Sequence, residues 1–311
     1  MSAIVGALSP IFLLIVMGWA FRVRGWLTDS FWVPAEKLTY YVLFPALLVA
    51  NLAEARLDGL PVAAILGAQG GAVLIVAALA ALVATLSRRP PLALDGPAAS
   101  SLFQGMIRPN TYVGLATAAG LFGLQGLTLT ALCVALVVPM GNVLAVLGLV
   151  HWAHPKTGGR GWRALVRPIV TNPMILSCAA GMALNLGGVG LPPVVGPLFK
   201  ILGQAALTLG LLAVGAGLEP RAVRAGGPAV ALALLGKLAA MPALVAALAW
   251  TLGVRGLPFA VCVVFAGLPV APNSYVLARQ LGGDARLMAA IITLSTLVAA
   301  ATLTAMVLLV H

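Results

Sequence analysis

Charge is scarce in this sequence. Charged residues make up 8% of the 311 positions, against 62% apolar. A soluble domain carries roughly 25% charged residues, so an ordinary water-facing surface is excluded. With a mean hydropathy of +1.10, the composition is that of an integral membrane protein. Acid is scarcer still. Asp29, Glu36, Glu54, Asp58, Asp95, Glu219 and Asp284 fall in loops or at the ends of apolar runs, and none lies deep in one. The histidines, His151, His154 and His311, also stand outside the interiors of those runs. HExxH, a Ser/His pair and paired intramembrane aspartates are all missing, so membrane-protease chemistry has nothing to run on. No enzyme activity, cofactor or metal is expected. Cys133, Cys178 and Cys262 each sit inside an apolar run, which excludes a disulfide framework and leaves three small buried hydrophobes.

What the sequence has in quantity is long apolar runs. About 20 such residues cross about 30 Å of hydrocarbon, and ten stretches qualify: 3–21, 31–52, 60–86, 98–121, 127–150, 164–186, 194–218, 228–252, 256–278 and 286–310. All are expected to be helices, because a backbone in lipid must satisfy its own polar groups. The connections are short, the longest being the basic, Gly-rich stretch 151–163, HWAHPKTGGRGWR, which divides the chain into halves 1–150 and 164–311. The first run is long and lacks a preceding basic region, so no cleavable leader is expected.

The net charge of +11 invites a nucleic-acid reading, but the basic residues stand at the edges of apolar segments, as membrane topology demands. One set of alternate loops holds Arg22, Arg24, Arg88, Arg89, Lys156, Arg160, Arg163, Arg167, Arg221, Arg224, Arg279 and Arg286; the other holds Arg56 and Arg255. Positive residues face the cytoplasm, so both termini are expected outside. The Ala-, Gly- and Leu-rich composition fits a bacterial inner membrane. Lys37, Arg108, Lys200 and Lys237 remain within or at the ends of spans.

The chain repeats itself. Pro109-Asn110 and Pro272-Asn273 are 163 residues apart, and the same offset pairs Pro10 with Pro173, Pro34 with Pro197, Lys37 with Lys200 and Tyr112 with Tyr275. Each copy spans five runs, and an odd number inverts the second copy in the membrane. The fold class expected is therefore all-α and polytopic, with ten transmembrane helices in two inverted five-helix repeats. That is an architecture of secondary transporters, whose substrates bind near the midplane. Proline in the fourth and ninth spans removes a backbone donor and breaks the helix. Asn110 and Asn273 are then placed to cap the helices that restart. Such breaks are tolerated at membrane depth where they line a protein-buried or watery cavity. With Thr111, Tyr112, Ser274 and Tyr275, the two breaks form the candidate substrate site; paired kinks satisfied by neighbouring side chains are the alternative.

Arg108 immediately precedes the first break. A cation at depth, together with helix N-termini, favours an anion, and guanidinium binds carboxylate bidentately. The alternative is that Arg108 donates to carbonyls freed by its own break. Lys237, in LLGKLAAMP, is a second candidate for the cavity or a gate, and Gln104 a further polar contributor. Lys37 and Lys200 lie where long side chains snorkel to the interface. Gln69, Asn142 and Gln204 are expected to bond helix to helix.

The segments QGMIRPNTYVGLA (104–116), LPVAPNSYVLARQLGGD (268–284) and KLTYYVLFPALLVANLA (37–53) resemble the auxin efflux carrier family, and the likeness runs over the whole chain. The resemblance implies that spans four and nine cross, with Asn110 and Asn273 at the crossing on a substrate carboxylate. It also implies elevator-type movement against a scaffold, a homodimer in many members, and organic-anion substrates such as malate, malonate or auxin-like acids. Related symporters use acidic residues for sodium, which this chain lacks at depth, so uniport driven by the membrane potential fits best. An anion channel, or a sodium- or proton-coupled symporter, is the alternative.

Overall fold

The computed structural model describes residues 2–55, 59–153, 171–223 and 227–310. The linker beyond residue 153 lies outside them, as do Arg56, Lys156, Arg160, Arg163, Arg167 and Arg224 of the charge count and the first part of the expected span 164–186.

The described chain is helical. In order the helices are α1 (Ser2–Val23), α2 (Asp29–Leu38), α3 (Phe44–Ala53), α4 (Val62–Leu86), α5 (Gly96–Ile107), α6 (Thr111–Gly148) and α7 (Pro173–Leu186). There follow α8 (Val195–Ala216), α9 (Pro220–Val223), α10 (Gly227–Leu234), α11 (Met241–Thr251), α12 (Gly256–Ala266), α13 (Asn273–Gln280) and α14 (Ala285–Val310). Seven continuous helical stretches among the described residues are long and apolar enough to cross a membrane. Pro173–Leu186 and Gly256–Ala266 are apolar but shorter.

Prolines explain two of the places where the helices change pitch. Pro45 and Pro242 sit in the first turns of α3 and α11 and cannot donate to the preceding turn. Just before each, the helix widens to π geometry, over Thr39–Leu43 and Leu235–Ala240. These turns keep α2 running into α3, and α10 into α11, as single long stretches. Gly123 ends the other kind of continuity. At φ +60°, ψ −151°, in the region that favours glycine, it separates the expected fourth and fifth spans within α6.

Small residues set the packing. α1 lies along α8 so closely that a Cβ on Gly18 would meet the Leu212 carbonyl, and one on Gly215 the Ile15 carbonyl. α3 packs on α7 and α8, while α4, α5, α11, α12 and α14 pack among themselves and with α6. Close approach at small residues is how helices gain dispersion contacts where lipid offers no hydrophobic driving force.

The two helix breaks meet. Arg108 to Asn110 and the stretch after α12 run antiparallel, with a bridge between Pro109 and Val270. Asn110 N–H donates to the Pro269 carbonyl at 2.8 Å, and Ala271 N–H to the Arg108 carbonyl at 3.3 Å. Ser295 of α14 accepts from Val270 N–H at 3.1 Å. Proline-freed backbone groups at depth thus satisfy one another rather than lipid, as they must.

A candidate anion site at the helix crossing

Around this crossing lies a tight cavity of about 30 Å³, walled by residues 108–112 and 271–273 together with Tyr40, Val137, Val138, Gly141, Asn142 and Met174. That is room for a water or two. Of the residues singled out from sequence, Arg108, Pro109, Asn110, Thr111, Tyr112, Pro272 and Asn273 are brought together here.

Arg108 is 6% exposed. Its Nη2 donates to Asn142 Oδ1 at 2.7 Å, while Nη1 is buried with no partner among the described residues. The Arg108 side chain therefore does not bond the carbonyls of its own break. Its own carbonyl is taken by the Ala271 amide instead. Asn110 Oδ1 caps α6, accepting from Tyr112 N–H at 3.1 Å and Val113 N–H at 3.3 Å. Because these amides fix the oxygen, the Nδ2 group must point away from them, and it is buried and unpartnered. Two donors, one of them cationic, are thus held at the crossing without partners among the described residues. Leaving such groups unbonded in a dry site is costly, so the arrangement suits an acceptor that bonds them. Tyr112 is held flat by stacking on Phe44, ring centres 4.6 Å apart.

Asn273 departs from the expectation. It is not a cap: α13 begins at Asn273 itself, after Pro272 has already turned helical at φ −59°, and no side-chain cap bond forms. Its Oδ1 is buried without a partner. Ser274 and Tyr275 are not brought to the tight cavity. One residue further along a helix is a rotation of about 100°, so Ser274 is buried elsewhere, its Oγ unpartnered, and Tyr275 lines a second cavity. Gln104 is fully buried with both amide atoms unpartnered, and does not line the cavity. Lys237 is also outside it. Its Nζ donates to the Ala266 carbonyl at 2.7 Å, at the end of α12, where the helix dipole favours a cation. Lys200 pairs with Glu54 at 2.9 Å, both side chains about half exposed.

Sequence reasoning missed Tyr40 and underrated Asn142. Tyr40 sits in the π turn before Pro45, which no apolar periodicity signals. Asn142 had a visible signal, a polar residue at depth, but its partner lies 34 positions away.

The second cavity, about 350 Å³, shares Tyr112 and Pro272 with the first. Arg22, Asp29, Glu36, Glu219 and Arg279 also line it. Glu36, expected in a loop or at a span end, lies inside α2 and faces this cavity, because the helix begins at Asp29. Arg22 bonds Asp29 and Glu219, both at 3.0 Å, and the Ala216 carbonyl at 2.8 Å.

Known proteins resemble this chain. Residues 162–307 match a family described as membrane transport protein. A protein of Methanothermobacter thermautotrophicus described as an uncharacterized transporter is 25% identical over 288 residues, 92% of each chain.

Proposed function

We propose that this chain, a multi-pass membrane transporter whose residues 162–307 match a family described as membrane transport protein, carries small organic anions. It is a transport protein rather than an enzyme. The substrate carboxylate docks at the helix crossing between residues 108–112 and 271–273. The single observation that carries this is the buried Arg108 guanidinium, whose Nη1 has no partner among the described residues, in a cavity also lined by Asn110 with its unpartnered amide. A buried cation needs an anion or several acceptors, and this one has a single amide oxygen.

The mechanism is alternating access between two inverted five-helix halves, 1–150 and 164–311, with the crossing riding on an elevator-type moving part. It runs as uniport driven by the membrane potential. In support, the tight cavity is too small for a carboxylic acid and must widen to take one. The larger cavity, reaching the other side of Tyr112 and Pro272, supplies an approach. With both termini outside, Arg22, Glu219 and Arg279 stand on the cytoplasmic side, so this approach is the inner one.

A thermal-shift screen of the purified protein against mono- and dicarboxylates tests the reading, since a ligand stabilises according to its occupancy. Arg108→Ala should abolish the stabilisation and Arg108→Lys should weaken it, because the ammonium keeps charge without the planar fork. An Arg108→Ala protein that binds carboxylates as tightly as the wild type refutes the site.

A further inference from the structure

We infer that Asn142 sets the charge of the ligand: by holding Arg108 with an uncharged oxygen, it leaves the site matched to a species carrying one negative charge. The inference rests on the anion site proposed above and adds to it the ionic class of the substrate.

Arg108 is the one charged side chain among the described residues that line the tight cavity. Tyr40, Asn110, Thr111, Tyr112, Asn142 and Asn273 are polar but uncharged there. Lys237, the other cation buried at this depth, is turned to the Ala266 carbonyl and is not part of the lining. The cavity wall therefore carries a single positive charge.

A buried arginine is ordinarily balanced by a carboxylate of the protein. Here the partner at 2.7 Å is Asn142 Oδ1, which fixes the guanidinium by a hydrogen bond and neutralises nothing. Asn142 is thus a positioning residue. It engages Nη2 and leaves Nη1 for the ligand. One ligand carboxylate completes the charge balance. A dianion would bring a second charge into a wall made of amides, hydroxyls, Val137, Val138 and Met174, with no cation to meet it. A neutral ligand would leave the guanidinium as it was.

The amide and carboxylate of Asn and Asp have the same shape, so Asn142→Asp changes charge without changing volume. It would neutralise Arg108 from within and shift the preferred ligand from the monoanion to the neutral molecule.

The test is a charge ladder of constant length: malonate, monomethyl malonate and dimethyl malonate, titrated against the purified full chain at neutral pH with melting temperature as the readout. The wild type should bind monomethyl malonate at least about 10-fold more tightly than either neighbour, a conservative figure for one uncompensated buried charge. In Asn142→Asp the monoanion should lose about 10- to 100-fold, as when a charge-assisted contact is lost, while dimethyl malonate binds at least as well as before. A purely structural Asn142 would move all three ligands together, which overturns the inference. So does a wild type that prefers malonate, or one that responds to none of the three. The Arg108→Ala comparison on the carboxylate panel is independent of this ladder. If Arg108→Ala abolishes binding while malonate outranks its monoester, the anion site stands and only the charge assignment falls.

Discussion

The two asparagines at the crossing occupy matching positions in the sequence but do different structural work, and this predicts an asymmetry in their variants. Asn110→Ala removes both bonds to the first turn of α6, at 3.1 and 3.3 Å, at a residue that is 1% exposed. Loss of a helix cap costs about 0.5–2 kcal/mol, and burial puts this one near the upper end. At roughly 2–4 °C per kcal/mol for a chain of some size, the melting temperature should fall by about 4–8 °C. Asn273→Ala removes a side chain that makes no cap bond and whose oxygen is already unpartnered. Its cost should stay within about 0.5 kcal/mol, a shift of a degree or two. Asn110→Ser separates the two roles of Asn110, because serine caps nearly as well as asparagine but carries no Nδ2 group. It should melt close to the wild type. Asn110→Ala and Asn110→Ser, which lack the Nδ2 donor, should lose the stabilisation conferred by carboxylates. Scanning fluorimetry of the purified proteins, with and without ligand, reads both quantities at once. The reasoning fails if Asn273→Ala melts as low as Asn110→Ala, or if Asn110→Ser keeps the full response to ligand.

The remaining predictions concern orientation and packing. Reporters fused after residues 92 and 158 should read cytoplasmic and one at the C-terminus external; a cytoplasmic C-terminus would remove the basis for inverted halves. Gly215→Ala should destabilise by about 1–3 kcal/mol as overpacking, since its Cβ would meet the Ile15 carbonyl and backbone cannot swing aside. Gly6→Ala, with nothing within 4 Å, is the matched control and should hold or slightly raise the melting temperature, since alanine is the better helix former.

The helix breaks were legible because proline acts locally. Pro109 and Pro272 lack a donor whatever surrounds them, so an interruption at these positions follows from the sequence. The capping role of Asn110 was equally local, needing only the amides two and three residues on. The same inference failed for Asn273 because Pro272 entered the helical region one residue early, a choice of backbone angle that the residue types leave open. Tyr275 then went with the helix rotation to the other cavity. The π turns before Pro45 and Pro242 left only an indirect mark, the prolines themselves, since widening a helix by one residue changes no residue type.

By itself, then, the sequence determined the class of the protein, through hydropathy, and the places where its helices must break, through proline. It also determined that a cation lies at the first break; that Glu36 lies inside α2 rather than at a span end was settled only by the fold. Only the tertiary structure decided what the cation touches. Arg108 meets an amide 34 residues away on the far part of α6, and its carbonyl meets Ala271, 163 positions on. The first contact joins positions that no motif links, and the second joins the two Pro-Asn copies, whose repetition does not by itself bring them together. They exist because two interrupted backbones at membrane depth must find hydrogen bonds within the protein, and each was the nearest partner for the other.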